Sequence, residues 1–397
     1  MYKKLGAVVL ALVLVLALAL TGCSSGSNSS SSTSSSGGTI KIGANYELSG
    51  AVASYGSDSL KGLKMAIDEV NASGGVLGKK LQIVSKDNQS NPSQAMSIEE
   101  SLMSQDKVAV VAGPATSGGF QACIPVAERH GIPIISSSAT SDKNITLNSQ
   151  GKVNSEVFRT CFTDSYQGKV MADFASKKLN AKTAVVYADN SSDYGKGLSA
   201  AFQAQFKKDG GTIIAVDAYM SGDQDFNAVL TSLKAKPFDV MFVPGYYQEA
   251  GLIIKQARAL GMNQPILGAD GFDSPQLAQI AGAANANKIY YSDHYSSLDK
   301  STAVQNFIKD YKGKNGGQQP SAFVAMGYDL GKYIAATIKR AGTTDPKKLT
   351  DAFASTQNFS GVTGTFSVSS THDVIKSAVV IEMENGNQVS VTRMTAQ

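Results

Sequence analysis

The chain has 397 residues, 42% of them hydrophobic, and carries 36 Lys and Arg against 32 Asp and Glu. A net charge of +4 with both signs interspersed offers no basic stripe, which excludes electrostatic binding of nucleic acid. The composition is that of a globular protein, and the length from Thr39 onward suffices for two domains of ordinary size.

The N-terminus reads as an export signal over residues 1–22. Lys3 and Lys4 form a short positive region, and Leu5 to Leu20 is an unbroken run of Ala, Val, Leu and one Gly. A membrane span needs about 20 apolar residues, and this run is shorter and ends in small residues. Leu20-Thr21-Gly22-Cys23 resembles a lipoprotein signal-peptidase site, which implies diacylation of Cys23 as the mature N-terminus. Two acyl chains suffice for stable anchoring, where a single chain binds only marginally. Ser24 to Gly38 is almost entirely Ser, Gly, Asn and Thr, so residues 23–38 are expected to tether the domain to the membrane. Loss of the signal removes Lys3 and Lys4 and lowers the net charge by two. The expected location is extracytoplasmic and lipid-anchored.

Strand and helix patterns then alternate. Ile40 to Ala44 predicts a first strand, and Leu60, Leu63, Ile67 and Val70 fall at helical spacing before Gly74-Gly75. Leu81 to Val84 predicts a second strand. Val108 to Val111 and Ile132 to Ile135 are short apolar runs of the kind found in buried parallel strands. A second series contains Ala184 to Tyr187, Thr212 to Val216, Asp239 to Val243 and Ile266 to Gly268, with helical segments between them. Such alternation implies βαβ units and parallel sheets. Two series imply two α/β lobes, with a ligand site in the cleft beyond the carboxyl ends of the strands.

Catalytic and metal-binding patterns are missing. His130, His294 and His372 are scattered without metal-ligand spacing and read as solvated or locally bonded surface residues. The stretch from Gly74 to Lys80 departs from a phosphate loop. Ser73 stands where the first glycine belongs, and Lys80 where Ser or Thr should hold magnesium. It reads as a helix stop and a turn into a strand. Ala115 two residues before Ser117 excludes a nucleophile elbow. Cys123 and Cys161 allow a disulfide in an exported protein, or two free buried thiols, which the absence of a core-poor region favours.

Several segments together resemble the Leu/Ile/Val-type periplasmic binding proteins, the type I solute-binding subunits of ABC transporters. They are Leu48-Ser49-Gly50 with Tyr55-Gly56, Gly113 to Ser117, Ile134 to Thr140, and Phe162-Thr163-Asp164 with Gln167-Gly168. Asp193 to Gly197, Pro244 to Tyr247, Gly268 to Gly271 and Gly327-Tyr328-Asp329 complete the set, in order across nearly the whole mature chain. The resemblance implies two α/β lobes, each a parallel sheet flanked by helices, joined by three crossovers. The N-terminal lobe would take residues 39–158 plus 294–366, and the C-terminal lobe 159–293 plus 367–397. It further implies a monomer without cofactor or enzymatic activity, delivering a small amino acid to permease subunits.

The same resemblance assigns a ligand site. Ser117 and Gly118 open a helix after a strand, where a hydroxyl and free N–H groups would receive the ligand's carboxylate; Ser117 also reads simply as an N-cap. Thr140 would touch both carboxylate and ammonium, with the backbone of Ser138 and Ala139 beside it. Asp270 would be the ammonium's anionic partner, Tyr194 and Tyr246 would reach the ligand from the second lobe, and Tyr55 and Phe323 would wall the side-chain pocket. Two departures stand out. Ser90 and Thr116 occupy positions where the best-known members pair cysteines, and Asp270 stands where many carry Glu. Branched-chain amino acids lead, and another small amino acid or an amide remains open. A ligand-sensing co-receptor is the second reading, and a secreted enzyme the third.

Overall fold

The computed structural model describes residues 38–395, so the expected export signal, Cys23 and the tether up to residue 37 lie outside them. The first α/β series comprises β1 (Thr39–Tyr46), α1 (Ala53–Ala72), β2 (Lys80–Asp87), α2 (Pro92–Ser104), β3 (Val110–Ala112), α3 (Ser117–His130), β4 (Ile134–Ser136) and β5 (Val157–Arg159). Its strands form one parallel sheet in the order β2-β1-β3-β4-β5. The second series comprises α4 (Asp164–Lys177), β6 (Thr183–Asp189), α5 (Asp193–Lys208), β7 (Thr212–Tyr219), α6 (Asn227–Lys234), β8 (Val240–Phe242), α7 (Tyr247–Ala259), β9 (Ile266–Gly268), α8 (Pro275–Ala281) and β10 (Ile289–Asp293). The chain continues through α9 (Thr302–Lys314), α10 (Ala322–Ala341), α11 (Pro346–Ala354), the small ribbon β11 (Phe359–Gly361) and β12 (Gly364–Phe366), then β13 (Ala378–Glu384) and β14 (Asn387–Met394). The second sheet runs β14-β13-β10-β9-β8-β6-β7.

The expectation of two purely parallel sheets needs one correction. β13 pairs antiparallel with both β10 and β14. Asn385 and Gly386, with φ of 49° and 73°, join β13 to β14 through a two-residue loop whose twist suits a hairpin. Five parallel strands remain, β7-β6-β8-β9-β10, with the same order as the first sheet. Each sheet therefore reverses strand order once, between β1 and β3 and between β6 and β8, and opens a crevice at its carboxyl edge.

β3, β4, β8 and β9 have only three residues each, and all are buried, which is why they read as short apolar runs rather than alternating ones. α1 ends as expected: Gly74 and Gly75 have φ of 106° and 80°, and Gly75 N–H bonds Val70 O to turn the chain into β2. Cys123 and Cys161 are free, buried thiols. A second correction concerns histidine. His294 and His372 are buried, stacked on Phe162 and Phe158 at 3.6 and 4.2 Å between ring centroids. Nothing in their neighbouring sequence marked them as core, because the rings they pack on come from distant segments.

α10 lies against α1 through glycines. A Cβ at Gly62 would stand 1.9 Å from Val324 O, and one at Gly327 would stand 2.1 Å from Ser59 O. Backbone so close cannot yield to an added methyl without moving a helix. Gly62→Ala should therefore destabilise the fold by about 1–3 kcal/mol or more, read as a lower urea midpoint. An unchanged midpoint would show that the two helices are not held in contact.

Candidate functional site

The loops at the two crevices face one another, and they carry most of the chemistry singled out from the sequence. Each helix that starts there is fixed by a local side-chain cap. Thr116 accepts the Gly119 N–H ahead of α3, Thr163 the Tyr166 N–H ahead of α4, and Ser192 the Gly195 N–H ahead of α5. These caps follow from Ser and Thr preceding each helix, and each satisfies an N–H group at a helix start.

From the first sheet comes a pole of hydrogen-bond donors. Ser117 Oγ accepts the Ser141 N–H at 3.1 Å, which leaves its hydroxyl hydrogen free to donate into the cleft. The start of α3 adds N–H groups without intrahelical partners. Ser138 is tied down, its hydroxyl donating to Ala115 O at 2.8 Å. Arg159, a fully buried guanidinium, donates to Ala139 O at 3.1 Å and Ser141 O at 2.8 Å and pairs with Asp373 at 2.7 Å. Residues 139–141 are thereby fixed from beneath, with Thr140 between them.

From the second sheet comes an acidic pole. Asp270 is 2% exposed. Its Oδ1 accepts from Tyr194 Oη at 2.7 Å and Gln167 Nε2 at 3.1 Å. The same Gln167 amide donates to Asp164 Oδ1 at 3.1 Å and accepts from Ser292 Oγ at 3.0 Å. Burial, and then the charge of Asp270, push the Asp164 carboxyl well above the usual carboxylate range. Thr140 Oγ1 and Asp164 Oδ2 are buried without a hydrogen bond of ordinary length, although the hydroxyl lies near enough to favour the charged carboxylate. On the other flank, His294 Nε2 stands 3.7 Å from Asp270 Oδ2. Burial pulls the His294 imidazole down to about 4, so it is neutral at neutral pH.

Aromatic rings close the space between the poles. Tyr55 stacks on Phe323 at 4.4 Å and meets Tyr246 edge-on at 5.7 Å, and Tyr246 stacks on Tyr194 at 5.0 Å. Tyr55 also bridges the lobes, since its hydroxyl donates to Gly271 O at 2.5 Å and accepts the Tyr247 N–H at 3.2 Å. Ser54 and Ser274 hydroxyls meet at 2.9 Å beside it. The cavity between the poles is narrow, with a volume of about 10 Å³, room for about one water.

Seven of the expected ligand residues line that cavity: Tyr55, Ser117, Ser138, Tyr194, Tyr246, Asp270 and Phe323. Ala115, Thr116 and Gly271 join them, whereas Gly118, Ala139 and Thr140 are absent from the lining and sit next to it in sequence. Ser90 and Thr116 are held by hydrogen bonds: Ser90 Oγ donates to Ser49 O at 2.8 Å, and Thr116 Oγ1 donates to Glu47 at 2.7 Å. Gln167, Asp164 and His294 beneath Asp270 received no role from sequence. The first two lay inside a motif already singled out, and His294 carried no signal at all. For His294, a folded value near 4 against about 6.5 unfolded means stability is fully present above pH 6.5 and falls as pH drops toward 4. His294→Phe keeps the stack on Phe162 and should flatten this part of the acid loss, by up to roughly 3 kcal/mol in denaturation titrations at pH 4 and 7. Parallel curves for both proteins would remove His294 as the source.

Comparison with known proteins agrees with this architecture. The periplasmic binding protein family matches residues 39–388. Leu/Ile/Val-binding protein homolog 3 of Brucella melitensis is 33% identical over 306 residues, covering 77% of this chain and 80% of that protein. The leucine-, isoleucine-, valine-, threonine-, and alanine-binding protein of Pseudomonas aeruginosa is 30% identical over 315 residues, covering 79% and 82%. Among solved structures, the branched-chain amino acid transporter substrate binding protein LivJ of Streptococcus pneumoniae, in complex with isoleucine, has a TM-score of 0.85 at 40% identity and covers 90% of this chain and 99% of its own. The leucine binding protein LivK of Thermotoga maritima follows with a TM-score of 0.81 at 33% identity, covering 89% and 98%. With two matched crevices, opposed donor and acidic poles and these relatives, the chain belongs to the periplasmic binding protein family, close to its Leu/Ile/Val-binding members.

Proposed function

We propose that this extracytoplasmic substrate-binding protein of an ABC importer captures a branched-chain α-amino acid between its lobes and delivers it to the permease. The observation that carries the reading is the pairing of opposite poles across one cleft: the Ser117 hydroxyl and the α3 start on one side, Asp270 on the other. A zwitterion loses water at both ends on entering such a cleft, so each charge needs a fixed, hydrogen-bonded partner. Tyr55, Phe323, Tyr194 and Tyr246 supply an apolar wall for an aliphatic side chain. The Pseudomonas aeruginosa relative, named for binding leucine, isoleucine, valine, threonine and alanine, and the Streptococcus pneumoniae protein, solved with isoleucine, support the same ligand class. Family membership places the chain among binding proteins rather than enzymes. No cluster of three His, Cys, Asp or Glu suited to a metal occurs among the described residues.

The cavity is too small for an amino acid as it stands, so capture requires the lobes to part at the Tyr55–Gly271 and Ser54–Ser274 contacts and to reclose on the ligand. The proposed lobes are residues 39–158 plus 294–366 and 159–293 plus 367–397, with the three crossovers between them as hinge. Anchoring through a diacylated Cys23 and action as a monomer complete the reading. No helix among the described residues is long and apolar enough to cross a membrane, and the acyl chains would supply the attachment.

Two experiments test these points. Asp270→Asn keeps the side-chain shape but removes the charge facing a buried ammonium, and should weaken isoleucine binding at least about 30-fold by calorimetry. The deamino analogue should lose much less, and equal losses would show that Asp270 does not read the amino group. Palmitate labelling of cells expressing the full chain should mark the protein and vanish in Cys23→Ala; label retained in the variant would overturn the anchor.

A further inference from the structure

One buried charge near the cavity has no part in the reading above. Glu47 follows β1 directly and is 1% exposed. Its Oε2 accepts the Ala115 N–H at 3.0 Å. Its Oε1 accepts the Thr116 N–H at 3.1 Å and the Thr116 hydroxyl at 2.7 Å. Thr116 in turn caps α3 by accepting the Gly119 N–H at 3.3 Å, and the Phe120 N–H bonds Thr116 O at 3.0 Å. An anion sits here directly behind the loop assigned to receive the ligand's own carboxylate. As a neighbouring charge alone, it would oppose that ligand.

Its bonding pattern gives it a different purpose. Glu47 takes the two N–H groups just ahead of α3, and Thr116 takes those of Gly119 and Phe120 within the helix. The Ser117 and Gly118 N–H groups are then the ones left over, together with the Ser117 hydroxyl, whose Oγ is already oriented by the Ser141 N–H. The crowding agrees. A Cβ at Gly119 would stand 3.3 Å from Glu47 Oε1 and 2.9 Å from Thr116 Oγ1, and one at Gly56 would stand 2.3 Å from Glu47 O. Glycine at both positions lets the carboxylate, the loop and α1 pack this closely.

We propose that Glu47 is a positioning residue for ligand capture: its carboxylate holds Ala115 and Thr116 so that the start of α3 presents Ser117 and Gly118 to the ligand's α-carboxylate. The inference rests on the amino-acid reading of the site. Glu47 touches no ligand and acts through Thr116. Charge-assisted bonds to a carboxylate are short and directional, which suits them to fixing a loop that must offer its donors already aligned.

The test compares isoleucine with isoleucinamide, which keeps the ammonium and side chain but lacks the carboxylate charge. Glu47→Gln retains the shape but sets its amide N–H groups against a backbone N–H, loosening the loop. Isoleucine affinity should fall about tenfold or more, and the ratio of isoleucine to isoleucinamide affinity should shrink at least about fivefold, because charged partners lose most from misplaced donors. A strengthened affinity for isoleucine would overturn the proposal, since it would make Glu47 only a nearby charge. So would a lowered Tm with an unchanged ratio, which marks a merely structural role. If Glu47→Gln fails to fold, Thr116→Val carries the same comparison, because it removes the hydroxyl that Glu47 holds. A folded Thr116→Val with the wild-type ratio would then overturn the proposal. Absence of isoleucine binding to the wild-type chain would overturn the functional reading and this inference together, whereas wild-type binding with equal losses for both ligands would overturn this inference alone.

Discussion

Burying charge is the constraint on which this cleft depends. Asp270 and Asp164 lie within reach of one amide, Gln167, and the nearest basic side chain, His294, is neutral at neutral pH. Two buried carboxyl groups so placed disfavour charge on both at once, which raises the pKa of Asp164, so their donors must be fixed in advance. Tyr194 and Gln167 provide this from α5 and α4, and Ser292 at the end of β10 holds Gln167 in turn. The acidic pole is therefore assembled from four separate stretches of the second lobe. It exists only when β6, β8, β9 and β10 lie in register.

The donor pole shows the same logic with opposite sign. Thr116, Ser117 and Ser138 are short polar residues at the ends of β3 and β4, and each is oriented by a bond to the neighbouring loop. Arg159 reaches under residues 139–141 from the end of β5, and its ion pair with Asp373 ties that loop to the segment between β12 and β13. A movement of that segment is thereby linked physically to the floor of the site. The guanidinium is fully buried, so breaking this pair would strand a charge as well as loosen a loop.

Between the poles, aromatic rings serve two purposes. Tyr55 offers its face to the cleft and its hydroxyl to the backbone of the opposite lobe, where it meets both Gly271 and Tyr247. Direct bonds of this kind favour the closed arrangement without any ligand. A ligand then shifts the balance only through contacts it makes better when the lobes are together. Wall and latch are one residue, so the shape of the pocket and the closing of the lobes cannot vary independently.

The local sequence determined what local physics controls. Apolar runs at β1, β3, β8 and β9 have the length of buried strands, Ser or Thr precedes α3, α4 and α5, and glycines stop α1. Each follows from residues a few positions apart. Motif order added the resemblance, and with it seven side chains that do converge on one cavity. The tertiary structure alone decided three things. β13 and β14 turn the second sheet mixed, because a strand's partner lies far along the chain. His294 and His372 are buried, because Phe162 and Phe158 supply faces that no spacing in the sequence announces. Glu47 and Gln167 became relevant only through partners 68 and 103 residues away, since a buried polar side chain takes its meaning from the groups that satisfy it.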